Sequence, residues 1–353
     1  MEDIDNTFCK NLPKVELHAH LGGSLCGDTI KKLVSQRPNI NDSAITVAIE
    51  KGAQRTMHEC FDMFSVIHSV VDSAQVITEV TKDVISDFAN DGVHYLELRS
   101  TPRDVMKTGL TKRLYIESVL QGIKEYHYEH DSSNPIVVRF LPSVDRAQHP
   151  NEAAETIKLA QEYMLTSEGI VVGLDFSGNP YKGNASDFVE MLLSAKSSGL
   201  KLSVHAAEIC GRLEDDKKLL KLPIDRIGHG TFISDDKALF ENICQRKIPL
   251  ELCLTSNIKT KTCPNDFRQH HLSLWRNKQY QHPCVICTDD KGIFATSLSS
   301  EYYLAAHVLN YSKEDVSCWA RETIDYIFAD EATKKDLQRL FKKKCSTLLG
   351  DHA

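Results

Sequence analysis

Eight short runs of mostly apolar, often β-branched residues recur along this chain, and each is followed by a stretch with helical periodicity. The runs are Lys14–His20, Val93–Ser100, Ile136–Ser143, Ile170–Gly178, Lys201–Glu208, Arg226–Gly230, Leu250–Asn257 and Cys284–Asp290. Most are nearly continuous in apolar character rather than alternating, as in strands of a parallel sheet that are covered on both faces. Between them, Phe188, Met191, Leu192 and Ala195 share one helical face before Gly199, and Val76, Val80, Val84 and Phe88 repeat every fourth residue before Gly92. Thr111 is placed to cap a helix carrying Leu114, Val119 and Ile123. Alternation of this kind predicts the α/β class, and eight units predict a closed (β/α)8 TIM barrel rather than an open sheet.

Two parts exceed the minimal repeat. Cys26–His68 is a long insert after the first strand, with helical stretches near Thr29–Ser35 and Met57–Val71, and Ser299–Leu349 is a charged helical tail. No linker-like or low-complexity tract interrupts the chain, so one domain over residues 1–353 is expected. A net charge of -7 without a long basic run argues against a nucleic-acid backbone partner. No apolar run reaches bilayer length, and Met1–Pro13 lacks the apolar core of a signal peptide. Eleven Cys without regular spacing read as reduced thiols. The expectation is a cytoplasmic, monomeric protein with a small-molecule partner and no membrane.

The chemistry-bearing residues gather at the ends of the runs. His18 and His20 stand two apart at the end of the first strand, so both imidazoles face one side. Alone, such a pair is more often chance or two structural histidines than a metal site. His205, His229 and Asp289-Asp290 close three further runs, and in a barrel those ends converge on one rim. Three imidazoles and a carboxylate suit zinc with a water in the remaining position, whose pKa would fall from 15.7 toward about 7. The fourth run ends Asp175-Phe176-Ser177-Gly178, without the Lys that a two-metal barrel would need, so one Zn2+ per chain is expected. Glu208 follows His205 by three, near enough to pass a proton to a ring nitrogen without being a ligand. Gly178 is either a turn glycine or a place where backbone can approach a flat base. Pro283-Cys284-Val285-Ile286-Cys287 and His127-Tyr128-Glu129 imitate the zinc motifs of cytidine-type deaminases. They are rejected, because Cys284 and Cys287 would face opposite sides of a strand and the His-x-Glu lies at a helix end.

Four separated blocks carry a resemblance over nearly the whole chain from Leu12. Leu12-Pro13-Lys14-Val15-Glu16-Leu17-His18-Ala19-His20-Leu21, His205-Ala206-Ala207-Glu208, Arg226-Ile227-Gly228-His229-Gly230 and Cys287-Thr288-Asp289-Asp290 resemble the adenosine and AMP deaminase family, in family order. Tyr95–Arg103, Leu250–Asn257 and Asp289-Asp290-Lys291-Gly292 are similar to its N6-methyl-AMP deaminase branch. The resemblance implies that His18, His20, His205 and Asp289 hold zinc. It implies that Glu208 protonates the purine ring, that His229 orients the attacking hydroxide and steadies developing charge, and that Asp289 belongs to the catalytic set. Asp290 and the Gly178 backbone would contact the base.

Substrate choice turns on a departure from that family. Where adenosine deaminases carry an Asp for the ribose 5′-hydroxyl, and the nucleotide branch usually an Asn, this chain has Gly22. A carboxylate there would repel a phosphate, and Gly22 removes that objection. By similarity, His68 and the Ser100-Thr101-Pro102-Arg103 turn would hold the phosphate, Asp145 would lie near the sugar or base, and His20 and His205 would also border the substrate. Arg103 offers a fork suited to phosphate. The implied reaction is zinc-dependent hydrolysis of N6-methyl-AMP and related N6-substituted purine nucleotides to IMP and an amine. Three alternatives stand beside it: a deaminase of free adenosine, a barrel amidohydrolase acting on cyclic amides or phosphoesters, and a non-catalytic nucleotide-binding protein.

Overall fold

A computed structural model describes residues 4–37, 57–130, 136–277 and 279–350. Its centre is one eight-stranded parallel sheet whose spatial order follows the chain. The strands are β1 Lys14–His20, β2 Val93–Ser100, β3 Val137–Asp145, β4 Gly173–Ser177, β5 Lys201–Ala206, β6 Arg226–His229, β7 Leu250–Leu252 and β8 Cys284–Ile286. Ala19 forms a parallel bridge with Asp289, just past β8. The Asp289 N–H donates to the His18 carbonyl at 2.8 Å and the His20 N–H to the Asp289 carbonyl at 3.1 Å, bringing the first and last strands together. The TIM barrel expected from the alternation is therefore present.

The helices cover the barrel with the stripes that the periodicity marks. Helix Ala74–Asn90 buries Val80, Val84 and Phe88, while Val76 is only half buried. Helix Lys112–Glu129 opens on Thr111, whose side chain accepts from the Leu114 N–H. Helices Gly27–Ser35 and Met57–Val70 lie in the insert; residues 38–56 of it fall outside the described residues. The tail forms helices Leu298–Leu309, Lys313–Glu322 and Glu331–Leu349, and Trp319 ties it to β8 by donating from Nε1 to the Cys284 carbonyl at 2.8 Å. No described helix is long and apolar enough to cross a membrane.

Several strands are shorter than their apolar runs, β7 most of all. Its run continues to Asn257, but the strand stops at Leu252 and helix Leu254–Lys259 follows. The reason lies far along the chain: the Glu301 carboxylate accepts from the Thr255 N–H at 3.0 Å and receives the first turn of that helix.

The barrel interior is not wholly apolar. Arg99 on β2 pairs with Asp175 on β4 at 2.8 Å and with Glu251 on β7 at 3.0 Å, while Arg226 on β6 pairs with Glu251 at 2.6 Å and with Glu97 on β2. All five side chains are fully buried or nearly so. Three carboxylates against two guanidiniums leave excess negative charge beneath the rim.

Candidate active site

The C-terminal rim gathers His18, His20, His205 and Asp289, whose ligand atoms all lie within 4.8 Å of one another. Hydrogen bonds on the far side of the rings settle which nitrogens face inward. His18 Nδ1 lies 2.7 Å from Glu251, so it carries the hydrogen and Nε2 is left as a lone pair. His205 Nδ1 lies 3.2 Å from the Phe176 carbonyl, which only accepts, so its Nε2 also presents a lone pair. That Nε2 faces His20 Nε2 at 3.2 Å. The Ser256 hydroxyl donates to Asp289 Oδ2 at 2.7 Å, leaving Oδ1 at 3.4 Å from both His18 Nε2 and His20 Nε2.

Imidazole nitrogens packed this closely beside a carboxylate suit a positive charge between them, a proton on His18 or a metal ion. His18 Nε2 is buried without a hydrogen-bond partner. Burial and Arg99 oppose a positive His18, yet the Asp289 and Glu251 carboxylates push its pKa up to about 9. Burial works against ionised Asp289, but the nearby imidazoles, His18 first and then His229 and His20, hold it well below the usual carboxylate range. A buried, anionic, three-nitrogen-one-oxygen donor set fits a zinc-type ion.

Ala207, His229 and Asp289 take left-handed φ values of 52°, 62° and 62°. Three non-glycine residues in this region at the ends of β5, β6 and β8 mark a rim held by its surroundings, at roughly 1–3 kcal/mol each. His229 Nε2 points to the gap between Glu208 at 3.8 Å and Asp289 at 3.9 Å. Burial, opposed by Asp289, holds the His229 pKa at about 4, so its ring is neutral. Burial, with Asp289 adding and His205 opposing, pushes Glu208 up to about 7. Burial together with Asp289 and Glu208 pushes Asp290 well above its ordinary range. Asp290 Oδ1 is buried without a hydrogen-bond partner.

A cavity of about 250 Å³ opens above these groups. Its polar lining includes His20, His205, Glu208, His229, Asp289 and Asp290, with Gly178 and Asp145. Gly22, His68, Ser100, Thr101 and Arg103 line it as well, together with apolar residues that include Ile67 and Val71. The expected site residues are thus brought together, with two differences. His18 lies below the cavity floor, fully buried. Pro102 is buried outside the lining, and only the residues around it in the turn reach the cavity. Gly178 has φ +99°, and a Cβ there would fall 2.0 Å from Asp145 Oδ1, so the glycine is what admits Asp145.

The rejected motifs stay apart from this cluster. Cys284 and Cys287 are buried free thiols, and His127 and Glu129 end the helix Lys112–Glu129. Residues that the sequence reading missed are Glu251, Arg99 and Ser256, which set the ligands, and Gln148 and Tyr115, which line the cavity. A signal existed for two of them: Arg99 and Glu251 are charges inside otherwise apolar strands.

The sequence pattern of the family described as Adenosine deaminase matches residues 13–344. An N6-methyl-AMP deaminase of Mus musculus is 50% identical over 336 residues, 94% of this chain and 92% of that protein. The crystal structure of an Arabidopsis N6-mAMP deaminase superposes with a TM-score of 0.88 at 36% identity, covering 96% of this chain and 99% of that one. The crystal structure of Arabidopsis ADAL complexed with IMP gives a TM-score of 0.89 at 35% identity over 96% and 99% of the two chains.

Proposed function

Since this chain belongs to the adenosine deaminase family, we propose that it hydrolyses N6-methyl-AMP to IMP and methylamine at a single zinc ion held by His18, His20, His205 and Asp289. One observation carries the reading: a single cavity is lined by three of the four candidate metal ligands, by a protonatable Glu208 and by Arg103. Likeness to proteins named for this activity, across nearly the whole chain, supports it.

Zinc, when bound, would acidify a water and supply it as a nucleophile at neutral pH. The chain's own residues do the rest. Glu208, with a pKa raised by burial to about 7, can still hold a proton near neutrality and deliver it to the purine N1 beside the attacked carbon. Neutral His229 donates from Nε2 toward the attacking oxygen and the charge that grows there. Asp290, kept protonated, donates to the imidazole edge of the purine. The Gly178 backbone and Asp145 frame the base and sugar. Gly22 puts no carboxylate near the phosphate, and Arg103 and His68 are the donors facing it. Water adds at C6 and the C6–N6 bond breaks; Glu208 supplies the N1 hydrogen, one proton of the water goes to the departing amine, and the other returns Glu208 to its acid form.

The test offers purified protein N6-methyl-AMP, AMP and adenosine and follows ultraviolet absorbance, with metal analysis alongside. N6-methyl-AMP turnover with about one zinc per chain is expected. Glu208→Gln should keep the metal and lose roughly 10²–10⁴-fold in kcat. Faster turnover of adenosine than of either monophosphate would overturn the nucleotide assignment.

A further inference from the structure

Behind His229, away from the cavity, lies a run of buried polar side chains that the reaction as described does not use. Asn257 and His270 are each 1% exposed, and neither lines the cavity. Their hydrogen bonds can be read in one direction only, because they start from a backbone N–H. The Leu272 N–H donates to His270 Nδ1 at 3.0 Å, so the His270 hydrogen sits on Nε2. That Nε2 meets Asn257 Oδ1 at 3.1 Å. With its oxygen committed there, Asn257 turns its NH2 group to His229 Nδ1 at 3.3 Å and to Thr262 Oγ1 at 3.2 Å. The Thr262 hydroxyl donates onward to the Asn257 carbonyl at 3.2 Å, so every hydrogen in the chain has an acceptor.

We infer that Asn257 and His270 are positioning residues that fix the tautomer of His229, keeping its Nδ1 an acceptor and its Nε2–H aimed at the reacting centre. The inference rests on the role given above to His229, and it names what holds that role in place. His271 grips the same residue by its backbone: Nε2 donates to the His229 carbonyl at 3.0 Å, and Nδ1 lies 3.5 Å from Cys263 Sγ. His229 needs such support, because its φ of 62° is unfavourable for a residue with a Cβ. Burial holds His270 well below the ordinary histidine range and His271 at about 4, so both rings are neutral links. The ligand atoms of Cys263, His270 and His271 also lie within 4.8 Å of one another. The hydrogen bonds argue against a metal there: the His270 lone pair is taken by Leu272 and its Nε2–H by Asn257.

The test uses the zinc-loaded protein and three variants. Asn257→Asp offers His229 Nδ1 an acceptor in place of a donor. His270→Ala frees the Asn257 amide to flip, and His270→Gln restores a donor to Asn257 Oδ1. Ring nitrogen-15 shifts of His229 report which nitrogen carries hydrogen, and kcat, KM and zinc content are read in parallel. In the parent protein, hydrogen on Nε2 is expected. In Asn257→Asp it should move to Nδ1 and kcat should fall roughly 10²–10⁴-fold, with KM and zinc content unchanged. His270→Gln should recover most of what His270→Ala loses. Hydrogen on Nδ1 in the parent protein, or an unchanged tautomer in Asn257→Asp and His270→Ala alike, overturns the inference. Full turnover in His229→Ala would instead sink the role of His229 itself, whatever the tautomer.

Discussion

His18 Nδ1 lies 2.7 Å from the carboxylate of Glu251, and both side chains are fully buried beneath the rim. Glu251 also receives Arg99, Arg226 and the Ser203 hydroxyl. One carboxylate therefore orients an imidazole of the proposed metal site and closes the ionic network of the barrel. Burial alone would raise its pKa, but the two guanidiniums and His18 hold it well below the usual range.

Glu251→Gln removes that charge while leaving an amide oxygen that His18 can still use. Loss of an outer carboxylate of this kind lowers metal affinity about 10–100-fold. Competition against a chelator measures it. Two partly uncompensated buried guanidiniums should also lower the thermal midpoint. Unchanged zinc affinity would show that Glu251 serves the barrel alone.

Gly22 and Gly23 make a matched pair of substitutions. A Cβ on Gly22 would meet Ile67 Cγ2 at 3.5 Å, an ordinary contact, so Gly22→Ala should behave much like the parent protein. A Cβ on Gly23 would fall 1.7 Å from Asp290 Oδ1, so Gly23→Ala must drive Asp290 from the place where the proposed reaction has it meet the base. Loss of one such donor costs about 10²–10³-fold in turnover. Steady-state kinetics with zinc content held equal decide it, and equal effects from both alanines would refute the assignment of Asp290.

Rising pH should weaken the metal-free protein through Glu208. Its folded pKa, raised by burial to about 7, lies above the ordinary value of 4.5. Between those values the folded chain binds more protons than the unfolded one, so stability falls as pH climbs through that window. Above it the cost is complete, up to about 3 kcal/mol. Glu208→Gln has no such titration. Thermal midpoints at pH 5 and pH 7.5 should therefore converge in the variant relative to the parent, and parallel pH dependences would count against a raised Glu208.

The barrel and its ligand set were legible because both are local signals: continuous apolar runs, and ligand residues at their ends. His18, His20, His205 and Asp289 needed only the rule that strand ends meet on one rim. What stayed hidden depends on residues far apart in sequence. The run through Leu254 and Thr255 reads as strand because nothing nearby announces Glu301, whose side chain receives the Thr255 N–H. Asn257 and His270 look like ordinary polar residues until the fold sets them behind His229. Pro102 was expected with its neighbours, but successive residues in a turn point different ways, and Ser100, Thr101 and Arg103 reach the cavity while Pro102 does not.

The phosphate end can be tested by adding charge where the chain has none. Gly22 lines the cavity with Arg103 and His68, and its backbone does not require glycine. Gly22→Asp would set a carboxylate against a phosphate. At about 5 Å and an effective dielectric near 20, one pair of like charges costs roughly 3 kcal/mol, or about 100-fold. Gly22→Asn, of nearly the same size and uncharged, controls for bulk. The kcat/KM ratio of N6-methyl-AMP to adenosine should collapse in Gly22→Asp, hold in Gly22→Asn, and fall in Arg103→Ala, which removes a guanidinium facing the same end. A Gly22→Asp protein that loses both substrates equally would mean that residue 22 senses the shape of the sugar and not the charge at its 5′ end.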